Sequence, residues 1–573
     1  SLVAGTPRAE AAQLAMLEAY AAGEVFEVWG SFGALSDDFC LPSYMTTRIR
    51  EPDTFVGRME IRLRGTKLSL TQALEATDEN TDQDGVYPLI WLSGTLWKPA
   101  RCPRNLLVAL SFRLHKDPFA KLDRSVVEEA FHHHAALMKV SVFDPDCHLP
   151  SFEEAVEAMP ACKRERIRRA QEEMMIGGND AIRGKSVFVK SDETLNLTLE
   201  GPDGMTMKPR AVTNLNPISH ALTLPYARWL AACLKVVFDG QLRTYEYEGV
   251  RLTLRMKYAA GLTQYGLDGL GQLFLSGDPT FAACGDDSLA VMASMTELFG
   301  HNVIESDYSA FDHSQKEESW MSFLSWAKAV GIPDFVLDQW WNDCCSPYKV
   351  KETKRSGVGV RGNATPQMPT GLSGTTVGNT GQTLGGFLYT VWRAVKCRTA
   401  RAKGYAAIQG ELGFTAKVQY PRDFTAATFL RGWWDYDIHG VLRWTCLPSA
   451  VLKLTKVCTK PSSIGGYRAV AASLGGAYRG LDASTPIVGV LIQRLLMMQG
   501  ETLATKPVLE NELYKVRLFH RVEMVREQML LKIIERYGLS PDEVCEAEDM
   551  ILRSPIPGAI SHRVFNVLRE VDY

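Results

Sequence analysis

The chain reads as an α+β protein with an antiparallel hairpin at its centre, and three features of the sequence predict this. The stretch FAACGDDSLAVM holds a small apolar run (Phe281 to Cys284), then Gly285-Asp286-Asp287, then a second apolar run (Leu289 to Met292). That pattern is a strand, a tight turn carrying two carboxylates, and a returning strand. A further strand, Asn302 to Ile304, ends at Asp307. Helical periodicity fills much of the remainder, above all beyond about residue 440.

Composition sets wide bounds. A chain of 573 residues has room for several domains or one multi-lobed enzyme. Its 46% hydrophobic and 23% charged residues are those of an ordinary soluble protein. The net charge of −3 points neither toward nor away from nucleic acid, so a polyanion site must come from local clustering. No apolar run is long enough to span a bilayer, and no signal-peptide pattern opens the sequence. The 12 cysteines are scattered without CxxC pairs. They give no zinc framework and suit a reducing compartment, so cytosol is the expected location.

In chain order, residues 1–160 alternate a helical pattern (Arg8 to Ala22) with strand-like runs, Tyr87 to Leu92 and Leu106 to Phe112. The acidic stretch Asp78 to Asp84 reads as a solvated loop. His132, His133 and His134 point in different directions on a helix, so they cannot converge on one ion. Lys163 to Arg169 forms a basic helical segment. The following GGNDAIRGKS misses phosphate-loop spacing, because Asn179 stands where the first glycine belongs. Lys185, Lys190, Lys208 and Arg210 accompany strands at Val187 to Val189 and Leu195 to Leu199. Cations on such a ribbon suit a triphosphate, and a solvated charged hairpin is the alternative.

Asp312 and Gln315 have capping-box spacing. Trp320, Phe323, Leu324, Ala327 and Val330 follow as a core stripe, and Gly331 and Pro333 stop that helix. Lys349, Lys351, Lys354, Arg355 and Arg361 read as a basic loop. Thr370 to Gly374 is a small-residue loop that lets another strand approach closely. A helix begins near Thr375 and carries Thr375 and Asn379 on one face. Arg393, Lys396, Arg398, Arg401 and Lys403 follow with no acid among them, which suits a phosphate track or a solvated helix end. Glu411 to Trp434 holds a turn, Lys417 and a strand-like Thr428 to Arg431. Pro486 to Met498 reads as buried, and Glu510 to Tyr537 as a charged amphipathic helix. Ser540 and Pro541 open a last helix as N-cap and first residue.

Two strand ends that each present Asp suit a pair of Mg²⁺ ions roughly 3.5–4 Å apart, the arrangement used for in-line phosphoryl transfer. Mg²⁺ takes few carboxylates plus substrate phosphates, so two or three Asp suffice. A polar hairpin tip is the competing reading.

The combination resembles a family. Asp307-x-x-x-x-Asp312, then Thr370-Gly371-x-x-x-Thr375-x-x-x-Asn379-Thr380, and Gly285-Asp286-Asp287 match palm motifs A, B and C of viral RNA-dependent RNA polymerases. Lys417 and Thr428 to Arg431 resemble motifs D and E, and Lys190, Lys208 and Arg210 resemble the basic motif F. Gly-Asp-Asp precedes motifs A and B here, an order that marks the permuted polymerases of permutotetraviruses and birnaviruses. Birnaviruses carry Ala-Asp-Asn in its place, so the resemblance is to the permutotetravirus type.

The resemblance implies a closed right hand: fingers over 1–270 with interspersed palm segments, a palm with an antiparallel sheet over 271–440, and a helical thumb over 441–573. It implies that Asp286 and Asp307 bind Mg²⁺ (or Mn²⁺), with Asp287 as auxiliary ligand. Arg210, Lys208 and Lys190 would hold the incoming triphosphate, and Lys417 would protonate the leaving group. Asp312, Asn379 and Thr375, with Thr370 and Gly371 of the adjoining loop, would hold the nucleotide sugar. Arg431, Arg393 and Lys396 would contact RNA. The implied partners are template and nascent RNA and ribonucleoside triphosphates, with a homo-oligomer or a protein primer as further options. The implied setting is a viral replication complex in host cytoplasm. A reverse transcriptase and a non-catalytic RNA-binding or assembly protein on a palm scaffold are the alternatives.

Overall fold

The Gly285 hairpin lies inside a six-stranded sheet. In the computed structural model its strands are β1 (Asp239–Tyr247), β2 (Val250–Tyr258), β3 (Thr280–Cys284), β4 (Asp287–Val291), β5 (Val303–Tyr308) and β6 (Ala416–Gln419). They lie side by side in that same order. Every neighbouring pair is antiparallel except β2 with β3. A parallel pair needs a crossover, which the helix Gln264–Phe274 supplies. The sheet is therefore mixed rather than purely antiparallel, and the chain belongs to the mixed α/β proteins.

The structure describes residues 58–63, 66–72, 87–93, 109–110, 114, 122–141, 146–177, 184–190, 198–199, 205–206, 210–292, 296–350, 358–362, 366–457, 461, 463–481, 483–498 and 522–573. Lys208, Lys351, Lys354 and Arg355, the pattern Arg8 to Ala22, the acidic stretch 78–84, most of 106–112 and of 195–199, and 510–521 of the expected helix 510–537 lie outside them; of that helix the described part begins only at Arg526.

Both faces of the sheet are covered, which is why β3 and β4 read as continuous apolar runs rather than alternating ones. Phe281, Ala283, Ala290 and Ile304 face a helical layer. That layer includes α1 (Arg124–Ser141), α2 (Pro217–Val237), α3 (Glu317–Val330) and α4 (Thr375–Lys396). Phe281 stacks on Phe387 of α4 with ring centroids 3.8 Å apart. Ala282, Leu289, Val291 and Val303 face the other way, against Phe424, Phe429, Trp434 and Trp444. The predicted stripe of α3 is buried at Trp320, Phe323, Ala327 and Val330, and Gly331 (φ +114) ends the helix.

A second six-stranded sheet joins 185–189, 211–215, 348–350, 358–362, 66–72 and 58–63. The expected basic loop is thus flanked by paired strands, with Lys349 opposite Arg361. Beyond 440, helices Ile464–Ala477, Val488–Leu496, Arg526–Tyr537, Pro541–Arg553 and Arg563–Asp572 share one core. Leu89, Ile90 and Leu92 are part of that core, and Ile90–Leu92 pairs with Gly558–Ile560. Residues 87–93 therefore belong structurally with the C-terminal helices, far from them in sequence. Ser540 caps its helix through a full capping box with Glu543. No helix among the described residues is long and apolar enough to cross a membrane.

Two local readings are corrected. Asp312 is not an N-cap: Ala310 (φ +52) occupies that position before the one-turn helix Phe311–Ser314, and Gln315 follows that helix as C-cap. Thr428 to Arg431 is not a strand. Phe429 and Gly432 exchange both backbone hydrogen bonds around a two-residue turn, Leu430-Arg431.

Candidate active site

The site starts from the turn. Cys284 pairs with Asp287, leaving Gly285 and Asp286 as a two-residue loop. Gly285 has φ +66 while Asp286 keeps a negative φ, the type II′ pattern that wants glycine first. Ser288 pairs with Ser306, so Asp287 stands opposite Asp307 one step beyond. Asp307 in turn pairs with Lys417 of β6. Residues opposite one another in antiparallel strands share a face. Asp287, Asp307 and Lys417 therefore sit abreast at the ends of three neighbouring strands, with Asp286 beside them in the turn.

Their electrostatics show the crowding. Burial first, then the charges of Asp286 and Asp307, push the Asp287 carboxyl up to about 7, against the pull of Arg431. Burial and Asp286 likewise raise Asp307, which Lys417 and Arg431 oppose. Carboxylates that raise one another's pKa stabilise a cation placed among them. No group of three or more His, Cys, Asp or Glu forms a ready-made metal cage among the described residues. The donor set still fits Mg²⁺, an oxygen-seeking ion that takes one or two carboxylates and completes its shell with substrate phosphates.

The turn is held from the helical side. Thr380 Oγ1 accepts from the Gly285 N–H at 2.9 Å and donates to the Thr376 carbonyl at 2.7 Å. Thr383 Oγ1 donates to the Gly285 carbonyl at 2.6 Å. Both threonines are fully buried on α4, one helical turn apart. Thr380 belongs to the recognised motif, whereas Thr383 is found only from the structure.

Asp312 and Asn379 come into direct contact. Asn379 Nδ2 donates to Asp312 Oδ1 at 2.6 Å, and Gln315 Nε2 donates to Asn379 Oδ1 at 2.6 Å. The loop before α4 is tied to the same place, with the Met368 N–H donating to the Asp312 carbonyl at 3.0 Å. Other residues of this loop are engaged in building it. Thr370 Oγ1 accepts from the Thr213 N–H at 2.8 Å, and Thr375 Oγ1 donates to the Pro369 carbonyl at 2.5 Å. A Cβ on Gly371 would lie 2.2 Å from the Thr213 carbonyl oxygen, so glycine is required for this backbone contact. The close approach expected of the small-residue loop is thus made by strand 211–215.

The cations divide into two groups. Arg431 stands at the carboxylates, presented by a turn in which Leu430 (φ +53) and Arg431 (φ +55) are both left-handed. A type I′ turn normally takes Asn-Gly, and each non-glycine residue costs roughly 1–2 kcal/mol there. Its guanidinium lies 4.6 Å from the Tyr573 ring centroid and donates to the Asp572 carbonyl at 3.2 Å. Lys190 and Arg210 flank the connection between strands 185–189 and 211–215, the Lys190 N–H donating to the Arg210 carbonyl at 2.8 Å. Lys185, by contrast, is buried against the Asp343 and Cys344 carbonyls as a structural cation.

Arg393 and Lys396 lie at the far end of α4, about 21 and 26 Å along the helix from Asn379 at 1.5 Å per residue. Arg393 pairs with Glu411 at 3.0 Å, and Lys396 with Glu248 at 3.8 Å. The first two cations of the run therefore meet acids in space. The three adjacent histidines diverge: His134 bonds Ser322 and the Gln382 carbonyl in the core, while His133 bonds Tyr247. Comparison of the chain with protein-family models gives no match, and comparison with curated proteins gives none either.

Proposed function

We propose that the chain is an RNA-dependent RNA polymerase of the permuted right-hand type, joining ribonucleotides on an RNA template. The observation that carries the reading is the strand register. It sets Asp287, Asp307 and Lys417 abreast beside Asp286, although these residues come from three strands and span 286–417. The Asp312–Asn379 contact beside them supplies a carboxylate acceptor and an amide, the groups a ribose hydroxyl requires.

In the reaction the primer 3′-oxygen forms a bond to the α-phosphorus of the incoming nucleotide, and the bond to pyrophosphate breaks. Asp286 and Asp307, with Asp287 as auxiliary, would hold Mg²⁺ or Mn²⁺. When bound, such ions supply Lewis-acid activation of the hydroxyl and neutralise the triphosphate. Lys417 stands next to Asp307, where a proton delivered to pyrophosphate would be useful. Arg431, Lys190 and Arg210 are the cations this reading assigns to the phosphates. The sugar is oriented by Asp312 and Asn379. The Gly285-Asp286 turn is kept in place by Thr380 and Thr383, so the carboxylates need not reorganise during the reaction.

The test is primer extension with ribonucleotides and Mg²⁺. The protein should extend a templated primer, and Asp286→Ala or Asp307→Ala should each abolish incorporation while melting as the wild type does. The double variant should be little worse than either single, because ligands of a shared site act as a unit. Near-wild-type extension by either single variant would refute the assignment.

A further inference from the structure

Gln315 is 1% exposed, and its side chain has no part in the chemistry above. It lies at the end of a chain of two hydrogen bonds, Gln315 Nε2 to Asn379 Oδ1 and Asn379 Nδ2 to Asp312 Oδ1, each 2.6 Å. A carboxylate only accepts, so Asp312 requires the NH₂ side of the Asn379 amide. The amide oxygen must then face Gln315, whose own NH₂ donates to it. In the opposite orientation Asn379 would set its oxygen against the Asp312 carboxylate and its NH₂ against the NH₂ of Gln315. Two repulsive contacts would replace two hydrogen bonds. Asn379 is 9% exposed, so an amide oxygen left without Gln315 would have no ready substitute.

We infer that Gln315 is a specificity-positioning residue that fixes the Asn379 amide with its donor side toward the sugar. The inference rests on the proposed reading of Asp312 and Asn379 as the ribose contact. Nδ2 carries two hydrogens and Asp312 takes one, so a locked amide offers the second to a substrate hydroxyl while the carboxylate offers an acceptor. That pairing of one donor with one acceptor fits a 2′-hydroxyl, which does both, and gives a deoxyribose nothing to bind. Gln315 itself touches no substrate in this scheme. It acts through Asn379.

The experiment compares kcat/KM for ATP and dATP in single-nucleotide incorporation, using the full chain on a primed RNA template. Gln315→Met fills nearly the same volume without donating. It should lower the ATP/dATP ratio about fivefold to tenfold, with the loss on the ATP side. Gln315→Glu carries the same test by reversal when assayed at alkaline pH: an ionised glutamate accepts only, draws the Asn379 NH₂ away from Asp312, and should lower the ratio at least as far. In an Asn379→Ala background, Gln315→Met should change the ratio no further, because the residue it positions is gone. A purely structural role would instead lower both rates together. If the wild type discriminates but Gln315→Met and Gln315→Glu keep its ratio, the inference is overturned and the ribose reading stands. If the wild type itself shows no preference for ATP, the ribose reading falls and the inference falls with it.

Discussion

Replacing Thr380 or Thr383 by valine tests how the carboxylate turn is held. The β-ladder pins Cys284 and Asp287 but not the two residues between them. The N–H and C=O of Gly285 are satisfied by Thr380 and Thr383 instead. Valine keeps the branched shape and removes only the hydroxyl. Thr380→Val leaves a peptide N–H without its acceptor, a cost of about 1–3 kcal/mol, and Gly285 is half-buried, which favours the low end. Thr383→Val removes a donor from a carbonyl and should cost about 1 kcal/mol. The effect on rate should be larger than these stability losses suggest. A turn displaced by about 1 Å misaligns Asp286 against its neighbours, and a misplacement of that size costs about 10²-fold in rate. The assay is single-turnover nucleotide addition alongside thermal melting and RNA binding. Each valine variant should lose about 10- to 100-fold in kcat with RNA affinity unchanged, and Thr→Ser should restore most of it. If both valine variants melt lower yet keep kcat within about twofold of wild type, strand register alone holds the turn and α4 does not position it.

Asn379→Ala and Asp312→Ala should each lower the ATP/dATP ratio of kcat/KM by about 10- to 100-fold, since a hydrogen bond to a charged group is worth roughly 1.5–3 kcal/mol. An unchanged ratio in both would leave Asp312 with no role in the sugar contact. Arg393→Gln should cost about 0.5–1 kcal/mol of stability through loss of the Glu411 pair. RNA affinity should keep its salt dependence, and a drop of about 0.7 in the log–log slope would instead make Arg393 a phosphate contact. Asp343 supplies a pH prediction away from the site. Burial pushes its carboxyl up to about 6 from the ordinary 3.8, against hydrogen bonds from Ser219 and Gln339 and the charge of Lys185. A raised folded-state pKa means a contribution to stability fully present below about pH 4 and lost as pH rises through about 6. Urea unfolding should show wild type losing about 2–2.5 kcal/mol relative to Asp343→Asn between pH 4 and pH 7. A gap that does not change with pH would refute it.

What the sequence disclosed is what local pattern can carry. The Gly285 hairpin, the α3 stripe ended by Gly331 and the Ser540 cap each depend on residues within a few positions of one another. What it concealed depends on partners brought from afar. Gln315 has the spacing of a cap to Asp312, yet its side chain bonds Asn379, 64 residues on. Lys396 looked uncompensated because Glu248 lies 148 residues before it. The Thr428 to Arg431 segment has strand-forming residues, but closure between Phe429 and Gly432 forces its last pair, Leu430 and Arg431, into left-handed backbone that no Asn or Gly announced. Lys208 lies outside the described residues, so its expected triphosphate role has no geometry beside it.

The order of the strands explains why a hairpin-first arrangement is a good one for this sheet. Sequential elements tend to be neighbours in space, and β1 to β5 follow that rule without exception. Each strand from β1 to β5 is laid beside the one made just before it, so three of the five pairings close over short connections and β2–β3 over a single helical crossover, at modest entropic cost. Only β6 returns after a long excursion, residues 309–415, and that excursion contains α3 and α4. The same excursion delivers Asp312, Gln315, Asn379, Thr380 and Thr383 before β6 sets Lys417 against Asp307. The carboxylate turn can therefore form locally, while the threonines that hold it and the Asp312–Asn379 pair arrive together with the last strand. In the proposed polymerase, completing the site would depend on pairing β6 with a sheet whose earlier strands are already paired. A variant that weakens the β5–β6 register should lose activity before it loses the hairpin.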